Sequence, residues 1–158
     1  MSDNTNFYNL LNKWKKVSQF DIDPSRVGIE EDILFLSSSL KHEVTCVLYC
    51  ALIVPDDKFD RLCAGETVYV DTDGLLNTWT KQYDVCKARS IELAEVYGYN
   101  SAMVAYNPSA LSIVLDYEQL RWMRGTDSFK NQDVICKSQS IMLNTYNTNR
   151  FHYSEFLK

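Results

Sequence analysis

The longest apolar run in the chain, Val44 to Val54, is interrupted only by Thr45. It is too short for a bilayer, which takes roughly 20 residues. The run therefore has to be buried inside the fold, as a strand or as a buried turn of helix. Covering it needs chain, and 158 residues supply one domain with a sizeable core. Hydrophobic residues make up 46% and aromatic residues 13%, enough for the chain to fold rather than stay disordered. Only five Gly and three Pro speak against a small loop-rich β scaffold. Asn4 to Leu11 has neither the basic start nor the apolar block of a signal peptide. A soluble protein made in a cytosol is expected. The five cysteines, Cys46, Cys50, Cys63, Cys86 and Cys136, are odd in number and form no CxxC pair. They read as free thiols, with no disulfide framework, metal site or cofactor implied.

The net charge of −5 argues against a general nucleic-acid binder, but its distribution softens the objection. Residues 1–19 carry +2, from three Lys and one Asp. Residues 20–73 carry −8, from twelve acids and four bases. Residues 74–130 balance, and 131–158 carry +1. Bases outside the acidic stretch remain available to a phosphate.

Periodicity predicts helices around a short β-rich stretch. Phe7, Leu10, Leu11, Trp14 and Val17 form one apolar stripe over residues 5–17. Asp23-Pro24 opens a second helix, which Ser37-Ser38-Ser39 ends. Val44–Val54 and Glu66–Val70 are the strand candidates. A long third helix is expected over 74–97, with Leu75, Trp79, Tyr83, Cys86 and Leu93 on its buried stripe. Asn107 caps a fourth helix, Pro108 opens it, and Gly125 stops it. Together these predict a mainly α fold: an antiparallel four-helix bundle with a small β element over residues 1–130. Residues 131–158, polar with scattered aromatics, read as a C-terminal tail that is exposed or partly disordered.

Catalytic signatures are sparse. His42 and His152 stand in no HExxH or comparable metal spacing, and there is no GxSxG, P-loop or GxGxxG. His152-Tyr153-Ser154 resembles the HxS element of small phosphoesterases, which need two such elements. The sequence predicts no enzyme.

Several local patterns, in order, resemble the coat proteins of tobamoviruses and related rod-shaped plant RNA viruses. Ser18-Gln19-Phe20 followed by Arg26 is similar to the family's segment between its first two helices. Pro55-Asp56-Asp57-Lys58-Phe59 resembles its Phe-Pro-Asp-x-x-Phe turn. Asp73, Leu75-Leu76 and Tyr83-Asp84 are similar to its third helix, and Ile91 to Glu95 resembles that helix's acidic end. Arg124-Gly125-Thr126-Asp127-Ser128-Phe129 is similar to the structural stop of its fourth helix. The chain departs from the family in extra residues before Asp73, in Ala102-Met103-Val104 where the family carries an arginine pair, and in its longer tail.

The resemblance implies a structural capsid protein that self-assembles into a helical polymer or discs around single-stranded RNA, without sequence readout. It implies a virion location, with the host cytoplasm before assembly. Arg26, Lys87 and Arg89 fall on or next to the family's RNA contacts. Asp73, Glu92 and Glu95 fall on inter-subunit carboxylates that would make assembly pH-dependent. Phe59, Tyr69 and Phe129 are the expected lateral contacts. The competing readings are an acidic helical-bundle viral or phage protein that binds a host protein, and a small hydrolase built around His42 or His152.

Overall fold

The apolar run does form a strand, and that strand lies inside the sheet that organises the molecule. The computed structural model describes residues 9–14, 26–38, 43–72, 76–120, 133–138 and 140–156. In chain order its elements are α1 (9–14), α2 (Arg26–Ser37), β1 (Leu48–Ile53), α3 (Asp56–Cys63), β2 (Val68–Asp71) and β3 (Leu76–Thr80). There follow α4 (Tyr83–Glu95), β4 (Ser101–Tyr106), β5 (Ser112–Asp116), β6 (Asp133–Lys137), β7 (Ser140–Leu143) and β8 (Thr148–Phe151). Short 3-10 turns cover Pro108–Ala110, Tyr117–Leu120 and Tyr153–Phe156.

Six strands form one antiparallel sheet in the order β5-β6-β3-β1-β4-β8, and β2 pairs with β7 in a second, two-stranded sheet. This overturns the mainly α four-helix bundle. The expected third helix divides: Leu76–Thr80 is strand, and only Tyr83–Glu95 is helix. Thr78, Trp79 and Thr80 are residue types that favour a pleated surface. In the expected fourth helix, Asn107 does cap, its side chain accepting from Ser109 N–H, and Pro108 does open a turn. That turn stops at Ala110, and the β-branched Ile113 and Val114 continue as β5. The expected tail instead supplies three strands, with β6 between β5 and β3.

Strand alternation sends side chains to two cores. Leu48, Cys50 and Leu52 of β1, Ala102 and Val104 of β4, Trp79 of β3, and Val134 and Cys136 of β6 share the first. They meet Phe59 and Leu62 of α3, Val68 and Val70 of β2, and Ile141 and Leu143 of β7. Leu76, Leu115 and Ile135 join the second core, against Leu10, Leu11 and Trp14 of α1 and Ile33 of α2. Each fully buried aliphatic side chain contributes roughly 1.5–3 kcal/mol. The Trp14 indole N–H donates to Thr78 Oγ1 at 3.1 Å and ties α1 to β3. The Trp79 ring lies edge-on to Tyr106, while its N–H meets no acceptor among the described residues. That costs about 1–3 kcal/mol, which the ring's burial offsets. Helix α4 buries Cys86, Ser90, Leu93 and Ala94, at helical spacing, against β1 and β4.

The sheet edges are blunted. β5 carries a bulge between Ile113 and Leu115, and β8 is four residues long and includes Arg150. Lys58 donates to the Tyr69 carbonyl on β2. Such features keep edge strands from pairing with further strands. Among the described residues no helix is long and apolar enough to cross a membrane.

Candidate functional site

The structure places two of the residues expected to hold RNA on α4 and the third at the start of α2. Arg26 is the first residue of α2, with its side chain outside the described residues. Lys87 is exposed on α4, but Arg89 is tied to Asp133 at the start of β6, Nη2 to Oδ1, at 3.2 Å. Residues two apart on a helix face different directions, so Lys87 does not reinforce Arg89. Glu92 and Glu95 are both exposed on α4 and sit one turn apart. Asp73, Arg124, Gly125, Thr126 and Phe129 lie outside the described residues, as does His42. Phe59, expected as a lateral contact, is buried in the first core, whereas Tyr69 is exposed.

The groups with chemical potential are held in structural roles. His152 Nδ1 accepts from the Ser154 N–H at 3.1 Å and also meets Ser154 Oγ. Its ring stacks on Tyr153 and lies edge-on to Phe59. His152 and Ser154 thus close one local turn. An activated serine further requires an oriented base and donors for the oxyanion. Among the described residues no group of three His, Cys, Asp or Glu is placed to hold a metal.

The thiols divide by burial. Cys50, Cys86 and Cys136 are buried, and Cys46 and Cys63 are exposed. Burial pushes the Cys86 and Cys136 thiols up to about 12, and burial first, then the neighbouring thiols, raises Cys50. The thiolate is the reactive form, so the buried three should be inert at neutral pH. Titration of native protein with a thiol-specific dye should modify Cys46 and Cys63 quickly and the other three only in denaturant. Fast modification of Cys86 in the native state would contradict this packing.

What remains is a surface at the end of α4. The helix closes where Tyr99 N–H donates to the Leu93 carbonyl at 3.0 Å, across Gly98 with φ of 72°. This closure suits glycine because its positive φ carries no Cβ penalty. It leaves Val96 68%, Tyr97 50% and Tyr99 46% exposed. Next in the chain, Asn100 is buried and acts as a hub. Its Nδ2 donates to Asp56 Oδ1 at 2.9 Å, its Oδ1 accepts from the Tyr153 N–H at 3.2 Å, and its carbonyl accepts from the Val54 N–H at 2.8 Å. One side chain thereby joins the starts of α3 and β4 to the C-terminal 3-10 turn. Tyr153, 37% exposed, belongs to that turn, which packs on α4.

The elements that carry the tyrosines also carry acids. Glu92 and Glu95 on α4, Asp56 and Asp57 at the start of α3, and Glu155 in the 3-10 turn are all exposed, and Asp56 is bonded to Asn100. The residue types were visible in Glu92-Leu93-Ala94-Glu95-Val96-Tyr97-Gly98-Tyr99-Asn100. What the sequence did not carry was Tyr153 and Glu155 arriving from the far end of the chain. The chain matches no family model, no curated protein and no solved structure.

Proposed function

We propose that this chain is an acidic protein-binding module that docks a basic protein through the surface at the end of α4. The observation that carries the reading is the cluster of Val96, Tyr97, Tyr99 and Tyr153, exposed yet fixed on a backbone closed by Gly98 and Asn100. Tyrosine is enriched at interfaces because it offers a large contact area with few rotatable bonds. A pre-fixed turn loses little freedom on binding. The surrounding carboxylates favour a cationic partner and raise its on-rate.

The fold weighs against the coat reading. That reading needed a long third helix and a fourth; residues 76–80 and 112–116 are strands. Of its three expected RNA bases, Arg26, Lys87 and Arg89, the last is committed to Asp133. The acidic interaction protein keeps its basis without the helical bundle.

The test is a photoreactive benzoylphenylalanine introduced at Tyr99 in the full chain within its cell of origin. Phe35, 78% exposed on α2, serves as the control position. A discrete adduct with a basic protein at position 99, and none at 35, is expected. Equal labelling at both positions would overturn the proposal. An RNA adduct in place of protein would overturn it in favour of the coat reading.

A further inference from the structure

We infer that the surface at the end of α4 receives arginine side chains, so that its partner presents an arginine-rich segment in which arginine, not positive charge alone, sets the affinity. The inference rests on the protein-docking reading and adds the chemistry of the partner.

Three exposed tyrosines, Tyr97, Tyr99 and Tyr153, come from two elements joined through Asn100. Exposed carboxylates come from three: Glu92 and Glu95 on α4, Asp57 on α3, and Glu155 on the 3-10 turn. Among the described residues 54–60, 91–100 and 152–156, the one lysine or arginine is Lys58, and it is engaged with the Tyr69 carbonyl. Among the described residues this surface thus offers tyrosine rings and carboxylates, while Lys58 and, just before the turn, Arg150 are engaged with the Tyr69 and Leu62 carbonyls.

A guanidinium uses both at once. It is planar and weakly hydrated, stacks on an aromatic face, and keeps its forked donors for a carboxylate. An ammonium is compact and strongly hydrated. It gains the charge attraction but less of the stacking.

Other occupants fit poorly. A second copy would bring the same carboxylates against these and repel them. A nucleic acid would bring phosphates. An added strand would need an open edge, and the bulge of β5 and the short β8 with Arg150 blunt the outer edges of the large sheet.

The test uses the full chain with isotope-labelled tyrosine and two short peptides, identical except that one carries arginine where the other carries lysine. The arginine peptide should bind roughly three- to tenfold tighter and should shift the Tyr97, Tyr99 and Tyr153 resonances. Combined Tyr97→Ala and Tyr99→Ala should remove the preference while the protein keeps a cooperative thermal melt, since the two residues are 50% and 46% exposed. Combined Glu92→Gln and Glu95→Gln should weaken both peptides together, and Tyr146→Ala, at the β7–β8 turn, should change neither. Equal affinity for the two peptides, shifts confined to other tyrosines, or no binding of either would overturn the arginine assignment. If the position 99 cross-link to a basic protein persists in any of these cases, the docking reading stands and only the assignment falls.

Discussion

A chain cut after Lys130 should not fold. The cut removes β6, which lies between β5 and β3, with Val134, Ile135 and Cys136 all buried. Val134 and Cys136 serve the first core and Ile135 the second, so both cores lose a wall. The cut also removes β7, whose Ile141 and Leu143 cover the first core, and whose loss leaves β2 without a partner. The four aliphatic side chains among these, at roughly 1.5–3 kcal/mol each, together match the whole stability of a typical domain, about 5–15 kcal/mol. Strand pairing on two sides of the gap is lost as well. The full chain should show a cooperative urea transition and a dispersed amide spectrum. The shortened chain should show neither. A dispersed spectrum from residues 1–130 would mean that β6 is dispensable.

That result would bear on why the sequence was misread. Residues 131–158 are rich in Asn, Ser and Thr, and composition alone gives them a loose surface character. The strands inside them are short, and their apolar blocks Val134-Ile135-Cys136 and Ile141-Met142-Leu143 are three residues each. Such blocks become strands only when long-range partners supply the hydrogen bonds. Asp133 opposite Thr80 and Lys137 opposite both Leu76 and Ser112 are pairings no local window contains.

Local signals served better where the element was self-contained. Helix α2 falls inside the helix predicted from Asp23-Pro24 and ends at Ser37, whose hydroxyl donates to the Ile33 carbonyl. Strand β1 falls inside the first predicted strand, and β2 overlaps the second and runs one residue past it, to Asp71. The third-helix prediction failed for a different reason. Trp79, Tyr83, Cys86 and Leu93 recur at helical spacing, but the first belongs to a strand and the rest to a helix that follows a break at Lys81-Gln82. Tyr83, expected on the buried stripe, is 41% exposed, and a stripe of apolar residues does not reveal such a change of element within it. The candidate surface was half legible for the same reason. Its tyrosines near Gly98 mark a helix end, and only the fold brings the C-terminal turn beside them.

The second large effect is expected from Asp116→Ala, because the carboxylate is buried at the end of β5 and carries several bonds at once. Lys81 Nζ approaches Asp116 Oδ2 at 2.8 Å and Glu118 Oε2 at 2.7 Å, with only 12% of the Lys81 side chain exposed. Asp116 also accepts from the Glu118 N–H at 3.1 Å and from Gln119 Nε2 at 3.0 Å. Removing one partner of a buried pair costs about 3–5 kcal/mol when the other charge is left alone. Lys81 keeps Glu118 at 2.7 Å, so the cost here lies at the lower end of that range. Glu118→Gln should cost less, since that side chain is partly solvated and Asp116 stays in place.

The pH dependence separates this ion pair from simple packing. Burial lowers the Lys81 pKa, but the hydrogen bonds and charges of Asp116 and Glu118 outweigh it, so the group is raised overall. A raised base stabilises fully below its unfolded value, near 10.5, and loses that contribution as pH climbs through the folded value. The stability gap between wild type and Asp116→Ala should therefore stay level from neutrality to about pH 9 and narrow above about pH 10.5. Cys86 and Cys136 ionise earlier in the unfolded chain than in the fold, so above about pH 9 they lower both proteins together and leave the gap untouched. Urea titrations of both proteins across that range provide the measurement. A gap below about 1 kcal/mol at neutral pH, or one that ignores the alkaline range, would mean that Lys81 and Asp116 do not hold the ends of β3 and β5 together.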